Sequence, residues 1–126
     1  MHKGSTVSNS EWVIMELLWV RPYTLMELVT ELGVSVGWRK STVATMIRRM
    51  TEKGIVNYTE KGRAKVFAPA IAREAASLEQ AHGLLKRAFH GSIAEMVNAI
   101  AKEKSLTASD IAELYQVLKE AESALK

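Results

Sequence analysis

The residues with the widest chemical reach are gathered in one window of the chain. Between positions 39 and 65 stand Arg39, Lys40, Arg48, Arg49, Lys53, Lys61, Arg63 and Lys65, with only Glu52 and Glu60 against them, so 8 basic side chains meet 2 acidic ones. Interleaved with them are the short hydroxyls of Ser41, Thr42 and Thr45. Charged donors mixed with small donor-acceptor groups suit recognition of a polyanion. The plain alternative is a solvated charged surface. The excess is local: residues 1–70 carry 10 Lys and Arg against 6 Glu, residues 71–126 carry 7 against 8 acids, and the whole chain reaches a net charge of only +3.

Other chemistries are poorly provided for. Cysteine is absent, which removes disulfides, thiolate metal sites and thiol nucleophiles together. There is no phosphate-cradling glycine loop and no HExxH pair. His82 and His90 are too far apart on one predicted helix for the i, i+4 pairing that chelates metal, and His2 stands in a terminus expected to fray. Neither catalysis nor a metal or other cofactor is assigned. No apolar run approaches the roughly 18 to 20 residues of a membrane span, and "MHKGSTVSNS" lacks a signal-like apolar stretch. A soluble, cytoplasmic protein is the expectation. A length of 126 residues with 48% hydrophobic content fits one domain, or a small domain with an assembly element.

The basic window needs a scaffold, and the flanking sequence supplies one. Ser8 and Glu11 have capping-box spacing ahead of a first helix over 9–19, with Trp12, Met15 and Trp19 on one stripe, ended by Arg21 and Pro22. Thr24 and Glu27 repeat the spacing before a short second helix, in which Leu25, Leu28, Val29 and Leu32 align and Gly33 is the expected stop. After the loop "VSVGW", Val43, Met46, Ile47 and Met50 predict a third helix ended by Gly54. "IVNYT" and "AKVFA" then read as two strands, joined by "EKGR" with Gly62 at the turn. Pro69 closes the hairpin.

Beyond it the chain reads as helix to its end. Leu78, Leu85 and Phe89 share a stripe with Ile71 before Gly91. Ser92 and Glu95 open a helix with Ile93, Met96, Val97 and Ile100 on one face. Thr107 and Asp110 open a last one with Ile111, Leu114, Tyr115, Leu118 and Leu125 aligned. Three amphipathic helices in so short a segment have little room to hide their apolar faces, and burial against a second copy is the expected outlet. A single-chain bundle packing back on the first domain is the alternative.

Opposite the core stripe, the third helix presents Ser41, Ala44, Thr45 and Arg48, flanked by Thr42 and Arg49, with no large hydrophobe. Small residues let a helix enter the major groove of DNA, hydroxyls bond base edges or phosphates, and Arg brackets guanine. Arg39 and Lys40 stand at the helix start, where the dipole and free N–H groups already favour phosphate. Three helices followed by a basic hairpin is the order of a winged helix-turn-helix. The predicted fold is therefore mainly α with a small β-hairpin wing: a winged-helix DNA-binding domain over 1–70 and a helical dimerisation domain over 71–126.

"SEWVIMELLW", "STVATMIRRMTEKGIV" and "EKGRAKVFAP", with "FHGSIAEMVNAIAKEKSLTASDIAELYQVL" in the tail, resemble the penicillinase-repressor family of bacterial regulators, which includes methicillin-resistance and copper-responsive repressors. The resemblance covers nearly the whole chain. It implies a homodimer that binds a palindromic operator in double-stranded DNA and blocks transcription. On this sequence it assigns groove reading to Lys40, Ser41, Thr42 and Thr45, with Arg48 and Arg49 nearby, and the wing tip to Lys61 and Arg63. Lys40 stands where the family often has Pro or an aromatic residue. The cysteines through which copper-responsive members bind metal are missing, and the Asn-Phe bond cut during induction of the antibiotic-resistance members is here Asn98–Ala99. Copper sensing by that route is excluded, and no protease or signalling partner is assigned.

Two further readings belong to different classes. A winged helix can serve as a protein-interaction module without sequence-specific DNA binding, but its wing should then expose hydrophobes rather than Lys61, Gly62 and Arg63. A small-molecule sensor would need a pocket between the domain and the dimer helices, and nothing in the sequence marks one.

Overall fold

The computed structural model describes residues 7–126, so His2 lies outside the described residues. The order of elements is α1 (Asn9–Leu18), β1 (Tyr23–Thr24), α2 (Leu25–Ser35), α3 (Lys40–Lys53), β2 (Val56–Lys61), β3 (Ala64–Pro69), α4 (Arg73–Ala88), α5 (Ile93–Lys102) and α6 (Ala108–Ala124). Two compact units divide the chain, residues 1–81 and 82–126.

In the first unit the expected caps form. The Ser8 hydroxyl accepts from the Glu11 N–H while the Glu11 carboxylate accepts from the Ser8 N–H, and Thr24 and Glu27 do the same at α2. Such exchange satisfies donors that a helix start otherwise leaves open. Helix α2, however, runs through Gly33 to Ser35. The left-handed residue is Gly37, φ 71°, and the Val36 and Trp38 N–H groups both close onto the Leu32 carbonyl, so the chain turns only after an extra half-turn of helix. Trp38 packs against the core and fixes the entry to α3. Gly54, φ 84°, ends α3 as its position predicts.

Ile14, Met15, Leu28, Leu32, Val43, Met50 and Ile55 are fully buried in one core, each contributing about 1.5–3 kcal/mol relative to exposure. Strands β2 and β3 pair antiparallel from Val56↔Pro69 to Lys61↔Ala64, leaving Gly62 and Arg63 as a two-residue turn with φ 62° at Gly62. The hairpin is not alone. Tyr23 and Thr24 pair with Phe67 and Val66, giving a three-stranded sheet in the order β1-β3-β2. This strand was not predicted, because two residues cannot display an alternation.

The first unit also reaches past the expected domain end at residue 70. Ile71 and Ala76 are buried in its core, the Trp19 indole N–H donates to the Ile71 carbonyl at 2.9 Å, Arg73 pairs with Glu16, and the Gln80 amide donates to the Val7 carbonyl at 2.7 Å. The start of α4 thus belongs to the winged-helix core rather than to the segment that follows.

In the second unit, α6 opens with a full Thr107–Asp110 capping box. At α5 the box is half made: Ser92 accepts from the Glu95 N–H, but the Glu95 carboxylate turns to His90 Nδ1 at 3.2 Å. No residue of α5 or α6 is buried in the single chain.

One buried charge holds the first unit's helices in register. Glu11, 8% exposed, receives Lys53 Nζ at 2.7 Å and so ties the first turn of α1 to the last turn of α3. Burial raises the Glu11 pKa, but the hydrogen bonds from Lys53 and Ser8 together with the Lys53 charge outweigh it, and the carboxyl titrates below its ordinary value. A carboxylate with a depressed folded pKa contributes stability above its unfolded pKa, about 4.3, and loses it as pH falls through the folded value. Glu11→Gln keeps the acceptor for Ser8 but loses the ion pair. It should lower unfolding free energy by about 1–3 kcal/mol at pH 7, with wild type and variant converging in acid below the folded pKa. Denaturant titration across pH measures this, and a difference independent of pH would refute the assignment.

Candidate nucleic-acid interface

Burial of one face of α3 decides what its other face can do. Val43, Ile47 and Met50 are buried and Met46 is half-buried, so at about 100° per residue Ser41, Thr45 and Arg48 point the opposite way. Lys40, Ser41 and Thr42 form the exposed first turn. Ala44 and Thr45 are half-buried, while Arg48 and Arg49 are exposed. Arg39 is the N-cap and makes no side-chain cap hydrogen bond, in contrast to the capped starts of α1 and α2. The first-turn N–H groups of α3 therefore face outward without a side-chain acceptor, beside Arg39 and Lys40.

The two-residue turn carries the other half of the basic window. Lys61 ends β2 and Arg63 follows Gly62, all exposed. The structure brings the helix and the wing together: Arg48 from α3, Arg63 from the turn and Lys65 from β3 line one cleft. Arg48 has Glu52 as a neighbour one turn on, at 3.7 Å, with both side chains largely exposed. Such a pair is weak in water and readily exchanged for another anion. Lys53, the remaining basic residue of the window, is held by Glu11 on the inner side of α3.

The sequence places Lys65 in the basic window without giving it a role at the site, and nothing in it singles out Tyr58. Their ammonium and ring lie 4.5 Å apart, and Tyr58 stands directly opposite Phe67 with ring centroids at 5.8 Å. The period-2 pattern of the strands held the signal, since residues paired across an antiparallel ladder share a face.

The residues expected to dimerise divide between the two units. Leu78, on the first unit's part of α4, is exposed; Leu85, Phe89, Met96, Val97 and Leu114 are half-buried; Ile93, Ile100, Ile111, Tyr115 and Leu118 are exposed. Leu84 and Val117, outside the predicted stripes, are exposed as well. Among the described residues no cluster of His, Asp and Glu could hold a metal ion. No helix is long and apolar enough to cross a membrane.

The profile of the penicillinase repressor family matches residues 7–120. The penicillinase repressor of Bacillus licheniformis is 30% identical over 121 residues, which span 95% of this chain and 94% of that one. The methicillin resistance regulatory protein MecI of Staphylococcus aureus is 19% identical over 118 residues, 93% and 96% of the two chains. Among solved structures, the DNA-binding domain of the repressor BlaI in solution superimposes with a TM-score of 0.53 at 30% identity, covering 58% of this chain and 90% of that one. A buried α3 core face, an outward face of small hydroxyls and arginines, a basic wing and a family match over 7–120 agree, and the chain belongs to the penicillinase repressor family.

Proposed function

We propose that the protein is a transcriptional repressor that binds a palindromic operator as a homodimer, with α3 in the major groove and the β2–β3 turn along the backbone. The observation that carries this is the outer face of α3, which combines small hydroxyl side chains, arginines and an open helix start, flanked by the basic turn. The family is one of repressors, and the relatives named above are repressors or resistance regulators rather than enzymes. In this reading Ser41, Thr42 and Thr45 meet base edges. Arg48 and Arg49 add bidentate donors, and Arg39 and Lys40 meet phosphate beside the α3 N-terminus. Lys61 and Arg63 hold the backbone. A protein that blocks transcription works with the chromosome in the cytoplasm.

The second unit's surface supports dimerisation. Ile93 is 63% exposed, Tyr115 70% and Leu118 63% in the single chain, a concentration of large apolar side chains that a monomer would leave in water. A second copy covers them through the same patch in a two-fold arrangement, which in turn matches the symmetry of a palindrome.

Two measurements test these assignments. Lys61→Ala and Arg63→Ala should weaken every duplex alike, because phosphate contacts carry no sequence information. Thr45→Ala and Arg48→Ala should instead flatten preference at particular operator positions, by roughly 1–3 kcal/mol where a base contact is lost. Affinities against a panel of single-base operator variants separate the patterns, and uniform losses from all four would sink the groove assignment. For assembly, Tyr115→Glu with Leu118→Glu should turn a sedimenting dimer into a monomer with unchanged helix content by circular dichroism. A dimer that survives both charges places the interface elsewhere.

A further inference from the structure

The cleft shared by Arg48 and Arg63 is lined mainly by apolar surface. It is an open cleft of about 820 Å³ between the start of α2, the later half of α3 and the sheet, within the range of small-molecule sites, roughly 300–1,000 Å³. Leu25, Met26, Ile47 and Phe67 form its apolar lining, with Tyr58 at the side. Met26 is 54% exposed and Tyr58 40%, so both hold apolar surface open to solvent inside a concave site. Three cations, Arg48, Arg63 and Lys65, and one anion, Glu52, are the charged residues of the lining. The local balance is positive, and among the described residues no carboxylate lies within ion-pair distance of Arg63 or Lys65.

We propose that this cleft binds an amphipathic organic monoanion, an aromatic or branched aliphatic body carrying one carboxylate, and that such a ligand and duplex DNA compete for Arg48 and Arg63. The apolar body would cover Met26, Tyr58 and Phe67, and the carboxylate would take the guanidinium fork that Glu52 holds loosely. A neutral ligand leaves the net positive charge of the lining uncompensated. A phosphodiester backbone meets the arginines but has no body to fill the apolar lining. The binding claim stands on the cleft alone, whereas the competition claim rests on the reading of α3 and the wing as the DNA surface.

The test uses full-length protein, 4-phenylbutyrate and its neutral counterpart 4-phenylbutanamide, followed by ¹H–¹⁵N correlation spectra. 4-Phenylbutyrate should shift the amides of Met26, Thr51, Tyr58 and Lys65 and saturate at a Kd of about 1 mM, as suits so small a ligand. The amide should bind about tenfold more weakly, the worth of one charge-assisted contact. Met26→Glu, at an exposed position, should weaken both ligands by removing apolar lining, and the acid about tenfold more than the amide because it adds a negative charge, with the rest of the spectrum unchanged. Absence of shifts at the cleft up to about 20 mM overturns the site, and equal binding of acid and amide overturns its anion preference. Added operator duplex should release the bound acid. A bound duplex that leaves the acid in place overturns the competition. A duplex that does not bind at all refutes the DNA reading and leaves the cleft to stand or fall on the first two arms.

Discussion

The constraint on which the rest depends is that α3 must bury one apolar stripe, Val43, Ile47 and Met50, in the core. A helix that commits three positions to the interior has no freedom left in its rotation, because slipping by one residue swings the stripe about 100° into solvent and costs several kcal/mol. The outer face is thereby fixed with equal force. Ser41, Thr45 and Arg48 face outward because Val43, Ile47 and Met50 cannot. The ion pair from Lys53 to Glu11 adds a directional tie at the far end of the helix, where the apolar stripe alone would allow the last turn to fray.

The wing is held by a different kind of bond. Strands β2 and β3 exchange backbone hydrogen bonds along their length, and the short strand β1 pairs with β3, so the hairpin is not a free two-stranded ribbon of marginal stability. The central position of β3 in the sheet connects the turn at Gly62 to the core through Phe67, which is buried. A basic turn carried on such a frame keeps a fixed distance from α3. That fixed distance opens the cleft between them, where charges of both elements line apolar surface.

Much of this is legible from residue types and spacing because local rules govern it. The boxes at Ser8, Thr24 and Thr107, the left-handed ends at Gly54 and Gly62, and the buried face of α3 each follow from a few neighbouring residues. What escaped the sequence depends on partners far along the chain. Gly33 is compatible with helix as well as with its end, and only the closure of Val36 and Trp38 onto Leu32 decides that the turn waits for Gly37. The start of α4 looks like part of a separate helical segment until the Trp19 indole donates to the Ile71 carbonyl just before it and the Val7 carbonyl accepts from Gln80 within it, each across more than fifty residues. At α5 the expected reciprocal cap yields to His90, whose φ of 53° brings its ring to Glu95. The cleft could not be read at all, since Met26, Arg48 and Tyr58 come from three separate elements.

The central claim is that α3 and the wing form one electrostatic surface for duplex DNA, presented twice by a dimer. Counterion release makes that claim measurable. Of the 8 basic residues between 39 and 65, Lys53 is committed to Glu11 and Arg48 is shared with Glu52. If about four per protomer reach phosphates, the dimer neutralises about eight, and log affinity should fall against log salt with a slope near −7. Affinity for a duplex selected from a random pool would then drop by about four powers of ten between about 50 and 200 mM salt. A slope near zero, or no sequence preference at any salt, would contradict the account and identify the basic window as an ordinary solvated surface.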